Sequence, residues 1–309
     1  MLVAEGTFNV RKCAVLDLRD LECLTALARH RHFARAANEC GLSQPAFSMR
    51  IQNLENRLGA QVVKRGNRFQ GLTAEGEIVL ARARDIFQLM RALQDEVRSA
   101  KGEISGLLKL GVIPTVAAFA ASVASQLRDR HPGIRLRIDT ANSLALQQGL
   151  EDGRYDVALS YADGVASSSL NIVPLYHERY VLMVPKTLYD GRPEASWRDA
   201  AALPLILLEP EMQNRRILDQ VFLEIGADPT IVAETDGFTA TLAMAAEGLG
   251  AAVLPEVLVQ NLGYSEKVAV IPLVNPDISH AVALIAPDRT KLSPMIEVLT
   301  GVLQGMTSQ

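Results

Sequence analysis

Between Leu18 and Gly59, apolar residues recur at helical spacing in three short runs, each closed by a residue suited to a turn. Leu21, Leu24, Leu27 and Ala28 give a first helix one apolar face, which His30 to His32 interrupt. An alanine-rich second helix is predicted from Phe33 to Cys40, with Gly41-Leu42 as the turn that ends it. Ser43 reads as the N-cap of a third helix, and Pro45 falls in its first turn, where no backbone N–H is missed. Phe47, Ile51, Leu54 and Leu58 form the inner face of that helix, while Gln44, Ser48, Arg50 and Arg57 form the outer one. A helix, a tight turn and a second helix with a polar, basic outer face is the arrangement that sets the second helix into a major groove.

Past Gly59 the period changes. Residues 61–65 and 68–72 read as two short strands around a Gly66-Asn67 turn, a wing whose Lys64, Arg65 and Arg68 are placed for phosphates or the minor groove. Arg35, near the start of the second helix, is a further phosphate or base candidate. Thr73 caps a long helix reaching about Ser99, with Glu75 and Glu77 in its first turn. Val79, Ala83, Ile86, Met90, Leu93 and Val97 step along it in heptad fashion, and pairing with a second copy would bury that seam.

After a hinge at 101–106 the pattern becomes alternating strands and helices, which marks α/β layers. Strands are predicted at 107–113, 134–138, 156–160, 180–184, 205–208, 231–233, 251–254, 267–273 and 281–286. The helices between them run from Pro114 through Leu127, around 144–150, near 212–225 and 238–247, and finally from Pro294 to Leu303. Ligands in such sheets sit beyond the carboxyl ends of strands, against helix N-termini. That rule selects Pro114, Thr115, Asn142, Ser143, Ser160, Glu209 (with Pro210), Phe238 and Thr239, with a small anion as the favoured ligand. Each Ser or Thr among them also reads as an ordinary helix cap.

In order along the first domain stand Phe33-Ala34-Arg35-Ala36-Ala37, Leu42-Ser43-Gln44-Pro45-Ala46, Ser48, Leu54-Glu55, Leu58-Gly59, Lys64-Arg65 and Leu72-Thr73-Ala74-Glu75-Gly76. In these residues the chain resembles the LysR-type transcriptional regulators, from about Leu16 to its end. Two departures are visible: Met49 where a basic residue is common in that family, and Gln70-Gly71 for a β-branched or basic pair.

The resemblance implies an α/β protein overall. It would have an all-α winged helix-turn-helix at 17–73, a dimerising linker helix at 74–100 and a two-lobed effector domain at 107–309, built like a type 2 periplasmic binding protein. Lobe I is expected at 107–165 and 266–309, lobe II at 166–265, with the chain crossing between them twice. Residues 1–16 read as an extension or an upstream start. The partners implied are double-stranded promoter DNA, a small effector, a second copy in a dimer or tetramer, and RNA polymerase.

Composition narrows the rest. The 309 residues are 49% hydrophobic, ample for packed cores, and no apolar run reaches the length of a membrane span. The net charge of −4 hides an asymmetry: eleven Lys/Arg against five Asp/Glu from Arg11 to Leu72 leave +6 there and −10 elsewhere. A basic module on an acidic body is the footprint of phosphate binding.

Cys13, Cys23 and Cys40 lack metal spacing and a secretory context, which points to reduced thiols in the cytoplasm. Together with His30 and His32, Cys23 and Cys40 match no common zinc module, so neither metal nor cofactor is expected. Peroxide-sensing members of the family carry reactive cysteines in the effector domain, where this chain has none. There is no Gly-x-Ser-x-Gly elbow or phosphate loop, and Gly248-Leu249-Gly250 follows a helix rather than opening one, so no catalytic residue is assigned. A small-molecule-binding protein or an enzyme on the effector fold is the alternative, although it leaves the basic module unexplained.

Overall fold

The computed structural model describes residues 16–64, 66, 69–100, 104–163, 165, 170–259, 266–287 and 293–307. The chain divides into two compact units, Met1–Gln94 and Asp95–Gln309.

The first unit holds helices α1 (Leu18–His30), α2 (Phe33–Glu39), α3 (Gln44–Leu58) and most of α4 (Ala74–Ala100). Each start has a cap of its own. The Asp17 carboxylate accepts from the Arg19 N–H, His32 Nδ1 from the Arg35 N–H, and Ser43 Oγ from the Ala46 N–H. Gly59 ends α3 at φ 68°, a left-handed conformation that a residue with a Cβ adopts at a cost. Leu24, Leu27, Phe47 and Leu54 are fully buried in a core shared by α1, α2 and α3, and Phe33 meets Phe47 edge to face.

Among the described residues the wing is held by an antiparallel bridge, Val63 to Leu72, with Lys64 N–H donating to Gly71 O and Thr73 N–H to Val62 O. Arg65 and Arg68 lie outside the described residues. Glu55 ties the wing to α3, accepting from the N–H groups of Val62 (2.9 Å) and Val63 (3.2 Å). Thr73 caps α4 by accepting from the Gly76 N–H, and donates to Gln61 O. At Gly76 a Cβ would stand 2.0 Å from Val62 O, so only glycine fits between helix and wing.

The second unit is a two-lobed α/β body. Strands β1 (Gly106–Val112), β2 (Ile134–Thr140), β3 (Val157–Tyr161), β4 (Leu170–Pro185), β5 (Ala195–Ser196), β6 (Leu205–Leu208), β7 (Ile231–Thr235), β8 (Ala252–Pro255), β9 (Val268–Val274) and β10 (Ser279–Pro287) alternate with α5 (Ala117–Arg130), α6 (Ser143–Glu151), α7 (Trp197–Ala201), α8 (Gln213–Glu224), α9 (Phe238–Ala246), α10 (Glu256–Val259) and α11 (Pro294–Thr307). A 3₁₀ turn, Pro114–Val116, leads into α5.

Lobe I is the sheet β2-β1-β3-β10-β4, parallel through β3 and antiparallel at β10. Lobe II pairs the end of β4 with β8 and β9, and β6 with β7.

The long β4 joins the lobes. It pairs with β10 from Leu170 to Arg179 and with β8 and β9 from Tyr180 onward. In lobe II it is buried on both faces. Tyr180, Leu182 and Val184 enter the large core with Trp197 and Phe222, while Val181 and Met183 enter a second core with Phe238 and Leu242.

The strand pairing corrects the expected lobe limits. By strand pairing the chain passes between the lobes within β4 and again between β9 and β10, not near 165 and 265. The first half of β4 therefore belongs to lobe I, and β9 belongs to lobe II. Hydrogen-bonded neighbours decide lobe membership, and those are invisible in composition.

Candidate functional site: a helix-turn-helix face and an interlobe cavity

On the helix-turn-helix, Ser43, Gln44, Pro45 and Ser48 are exposed, as are Arg35 and Lys64, while Ala46 is half-buried. Arg50 departs from its expected place. Its Nη1 donates to Asp20 Oδ1 at 2.9 Å and to Asp17 Oδ2 at 3.0 Å, and Arg57 also approaches Asp20, at 3.6 Å. Asp20 is 1% exposed, so Arg50 serves as its counter-ion and braces α3 against the start of α1. The residue expected to contact DNA thus carries an ion pair within its own module. These same hydrogen bonds hold the Asp17 carboxyl below its usual range, the Arg19 N–H contributing most and Arg50 next.

Burial pushes the Cys23 thiol up to about 12, and the Cys40 thiol moves in the same direction. Among the described residues no cluster of His, Cys, Asp and Glu is placed to hold a metal ion.

The α4 seam is split. Ala83 is fully buried and Val79 partly so, both packed on the core of their own module. Ala83 therefore presents no exposed side chain for pairing two copies, and Val79 presents only part of one. Ile86, Met90, Leu93 and Val97 are exposed, and Leu89 joins them at 65%.

In the second unit, a cavity of about 120 Å³ opens between the lobes. Lobe I contributes Ser143, Gln147, Ser160 and Asp163, and lobe II contributes Gln213 and Arg216. Ser160 is buried and its hydroxyl donates to Ser143 Oγ at 3.1 Å, while Asn142 caps α6 by accepting from the Ala145 N–H. From the other side α8 begins after Met212, which supplies no side-chain cap, and Arg216 Nη2 donates to Gln213 Oε1 at 2.7 Å. The neighbouring Arg215 is turned away, bound to Leu208 O, Glu234 and Asp219. Asp163 is paired with His280 Nδ1 at 3.0 Å.

Of the eight residues expected around an effector, Ser143 and Ser160 line this cavity. Thr115 is buried elsewhere in the lobe, near Glu178. Phe238 is packed in the lobe II core, and Pro114, Asn142, Glu209 and Thr239 do not line the cavity. Gln213 and Arg216 escape a rule that looks directly beyond the strand end, because the loop 209–212 separates the end of β6 from its helix.

Beside the cavity lies a buried polar group built on β4. Tyr161 O–H donates to Glu178 Oε2 at 2.9 Å. Glu178 is 3% exposed, and its Oε1, Thr115 Oγ1, Tyr176 O–H, Tyr180 O–H and Asn214 Nδ2 close no well-formed hydrogen bond. Burial pushes the Glu178 carboxyl up to about 7, against the opposing pull of the Tyr161, Thr115 and Tyr176 hydroxyls. Tyr161, Tyr176 and Tyr180 are raised by the same desolvation and by the neighbouring carboxylate.

A winged helix-turn-helix followed by a two-lobed α/β body defines a ligand-responsive DNA-binding regulator. Residues 18–77 match the bacterial regulatory helix-turn-helix proteins of the lysR family, and residues 101–307 match the LysR substrate binding domain. The chain belongs to the LysR family of transcriptional regulators.

It is 29% identical to the DNA-binding transcriptional dual regulator OxyR of Escherichia coli over 94% of this chain and 97% of that one. A probable hydrogen peroxide-inducible genes activator of Streptomyces viridosporus is 33% identical over 79% of each. Full-length OxyR C199D from Pseudomonas aeruginosa superposes with a TM-score of 0.73 at 26% identity, covering 94% of this chain and 98% of that one. No described helix is long and apolar enough to cross a membrane.

Proposed function

We propose that this regulator is a cytoplasmic, non-enzymatic protein whose DNA binding is set by a small anionic metabolite held at Ser143, Ser160, Gln213 and Arg216. The observation that carries this reading is the cavity lined from both lobes by the first turns of α6 and α8. Helix N-termini, two hydroxyls and one guanidinium favour negative charge, and Asp163 is already engaged by His280. A ligand touching both lobes stabilises the arrangement in which they are closest, and only this differential affinity moves the equilibrium.

At about 120 Å³ the cavity is of a size for a small molecule. With its cysteines at positions 13, 23 and 40, this chain has no thiol in the effector domain, so the trigger is reversible binding rather than cysteine oxidation.

Gln44, Pro45 and Ser48 would read bases, and Arg35 and Lys64 would hold phosphates. Ile86, Met90, Leu93 and Val97 would pair two copies, and effector domains would join dimers into a tetramer that acts on RNA polymerase at the promoter.

The test is thermal denaturation of the full chain with acetate, pyruvate, malonate, succinate and phosphate as probes. At least one should raise the midpoint of the wild type but not of Arg216→Ala or Ser160→Ala. A ligand at about one hundred times its Kd adds about 3 kcal/mol. No shift with any anion, or equal shifts in both variants, rejects this site.

A further inference from the structure

The exposed face of α3 has an unusual makeup for a base-reading helix. Both of its arginines, Arg50 and Arg57, are drawn onto Asp20. The commonest specific contact in a major groove, a basic side chain on guanine N7 and O6, therefore has no committed donor on this helix. What the face does present is Gln44, Ser48, Gln52 and Asn53, with Met49 among them. Met49 is 59% exposed, the highest value for a large apolar side chain described between Leu16 and Leu72. None of the described residues of its own module covers it.

We infer that Met49 is a specificity-determining residue that reads thymine: its Sγ–Cε end packs on the C5-methyl group of one thymine in the major groove of each half-site. The inference rests on α3 being the base-reading helix, as proposed above. Three features support it. Met49 lies in the N-terminal half of α3, the part of a recognition helix that reaches base edges. Its unbranched, polarisable side chain follows the contour of a groove better than a branched one. Thymine alone among the bases offers a methyl group there, so apolar contact discriminates it from cytosine and from both purines. The flanking amides of Gln44 and Gln52 suit adenine N7 and N6, so the helix as a whole favours A·T pairs.

The experiment begins by selecting binding sites from a random-sequence duplex pool with the full-length protein. Each thymine of the selected duplex is then replaced in turn by deoxyuridine, which removes only the methyl group. Affinities are measured by fluorescence anisotropy for the wild type, Met49→Ala and Met49→Leu. One thymine per half-site should be sensitive, with replacement weakening the wild type about fourfold, and about fifteenfold when both half-sites are changed.

Met49→Ala should bind the thymine duplex more weakly by a similar factor and be indifferent to uracil at that position. Met49→Leu should keep most of the sensitivity. The slope of affinity against salt should not change, since no phosphate contact is lost.

Uracil sensitivity at no thymine, the same uracil penalty in Met49→Ala, or a salt slope reduced by about one would overturn the inference while leaving DNA reading by the module intact. A pool from which no sequence is enriched would overturn that reading itself, and this inference with it. Superposable melting curves for the three proteins show that each is folded, as an exposed position requires.

Discussion

Arg50 Nη1 and Asp20 Oδ1 stand 2.9 Å apart, with the aspartate side chain at 1% exposure and the arginine at 34%. An arginine that the sequence presents as a DNA contact is thus committed to a nearly buried carboxylate. Arg50→Ala leaves Asp20 with Arg57 at 3.6 Å as its remaining cationic neighbour. It should destabilise the helix-turn-helix module by about 2 kcal/mol, below the full penalty for an orphaned buried charge because Arg50 is partly solvated. The Asp20→Asn/Arg50→Met pair should recover most of that loss. Urea unfolding followed by circular dichroism checks both, and an Arg50→Ala protein as stable as the wild type contradicts the bracing role.

Gly76 is the point at which α4 meets the wing. Because a Cβ there would lie 2.0 Å from Val62 O, Gly76→Ala must displace backbone. The expected cost is about 2 kcal/mol or more, although alanine is the better helix former. Gly301, an α11 glycine with open space around its Cβ position, is the control, and Gly301→Ala should be neutral or mildly stabilising. Paired thermal melts decide it.

The two halves of the α4 seam should separate by phenotype. Leu93→Glu or Met90→Glu, at exposed positions, should leave the fold intact and lower the oligomeric mass seen by analytical ultracentrifugation. Ala83→Glu places a charge in a closed core and should unfold the module instead. A Leu93→Glu protein with unchanged sedimentation would remove this surface from the interface.

Glu178 makes stability depend on pH in a defined direction. Its carboxyl titrates near 7 when folded, above the unfolded value of 4.5, so the folded state holds a proton that the unfolded state has lost over that interval. Stability from this group is complete below about pH 4.5, falls as pH rises towards 7 and is flat above. Glu178→Gln cannot ionise and still accepts from Tyr161. Its stability relative to the wild type should therefore grow between pH 5 and 7, by an amount on the order of 2–3 kcal/mol, and stay constant above pH 8. Denaturant titrations of both proteins across pH 5 to 8.5 measure it. A constant difference across that range would show that Glu178 does not titrate there.

The winged helix-turn-helix was legible from local order. Its caps, its turn glycines and the period of Leu21, Leu24, Phe47, Ile51 and Leu54 all act within a few residues of one another. Several strands of the α/β body were legible for the same reason, since an apolar run such as Leu205–Leu208 is marked by its own composition. The first half of β4 was not. No strand is predicted there before Tyr180, since Pro174 and the polar residues His177 to Arg179 break the apolar run, and β10, more than a hundred residues later, supplies the hydrogen bonds that make this a strand. A bulge between Val282 and Ala283 accommodates the proline opposite.

The residues available for function divided along the same line. Sequence alone determined that a basic helix-turn-helix module precedes an α/β body, and it named Ser143 and Ser160 as candidates through the rule that ligands meet helix N-termini. Only the tertiary structure decided that Arg50 turns onto Asp20, that Ala83 is spent on its own core, and that Gln213 and Arg216 face the two serines across the cleft. Periodicity reports the inward or outward sense of a side chain relative to its own element. Which opposite charge, core or second lobe meets that side chain depends on partners distant in the chain, and folding alone brings them together.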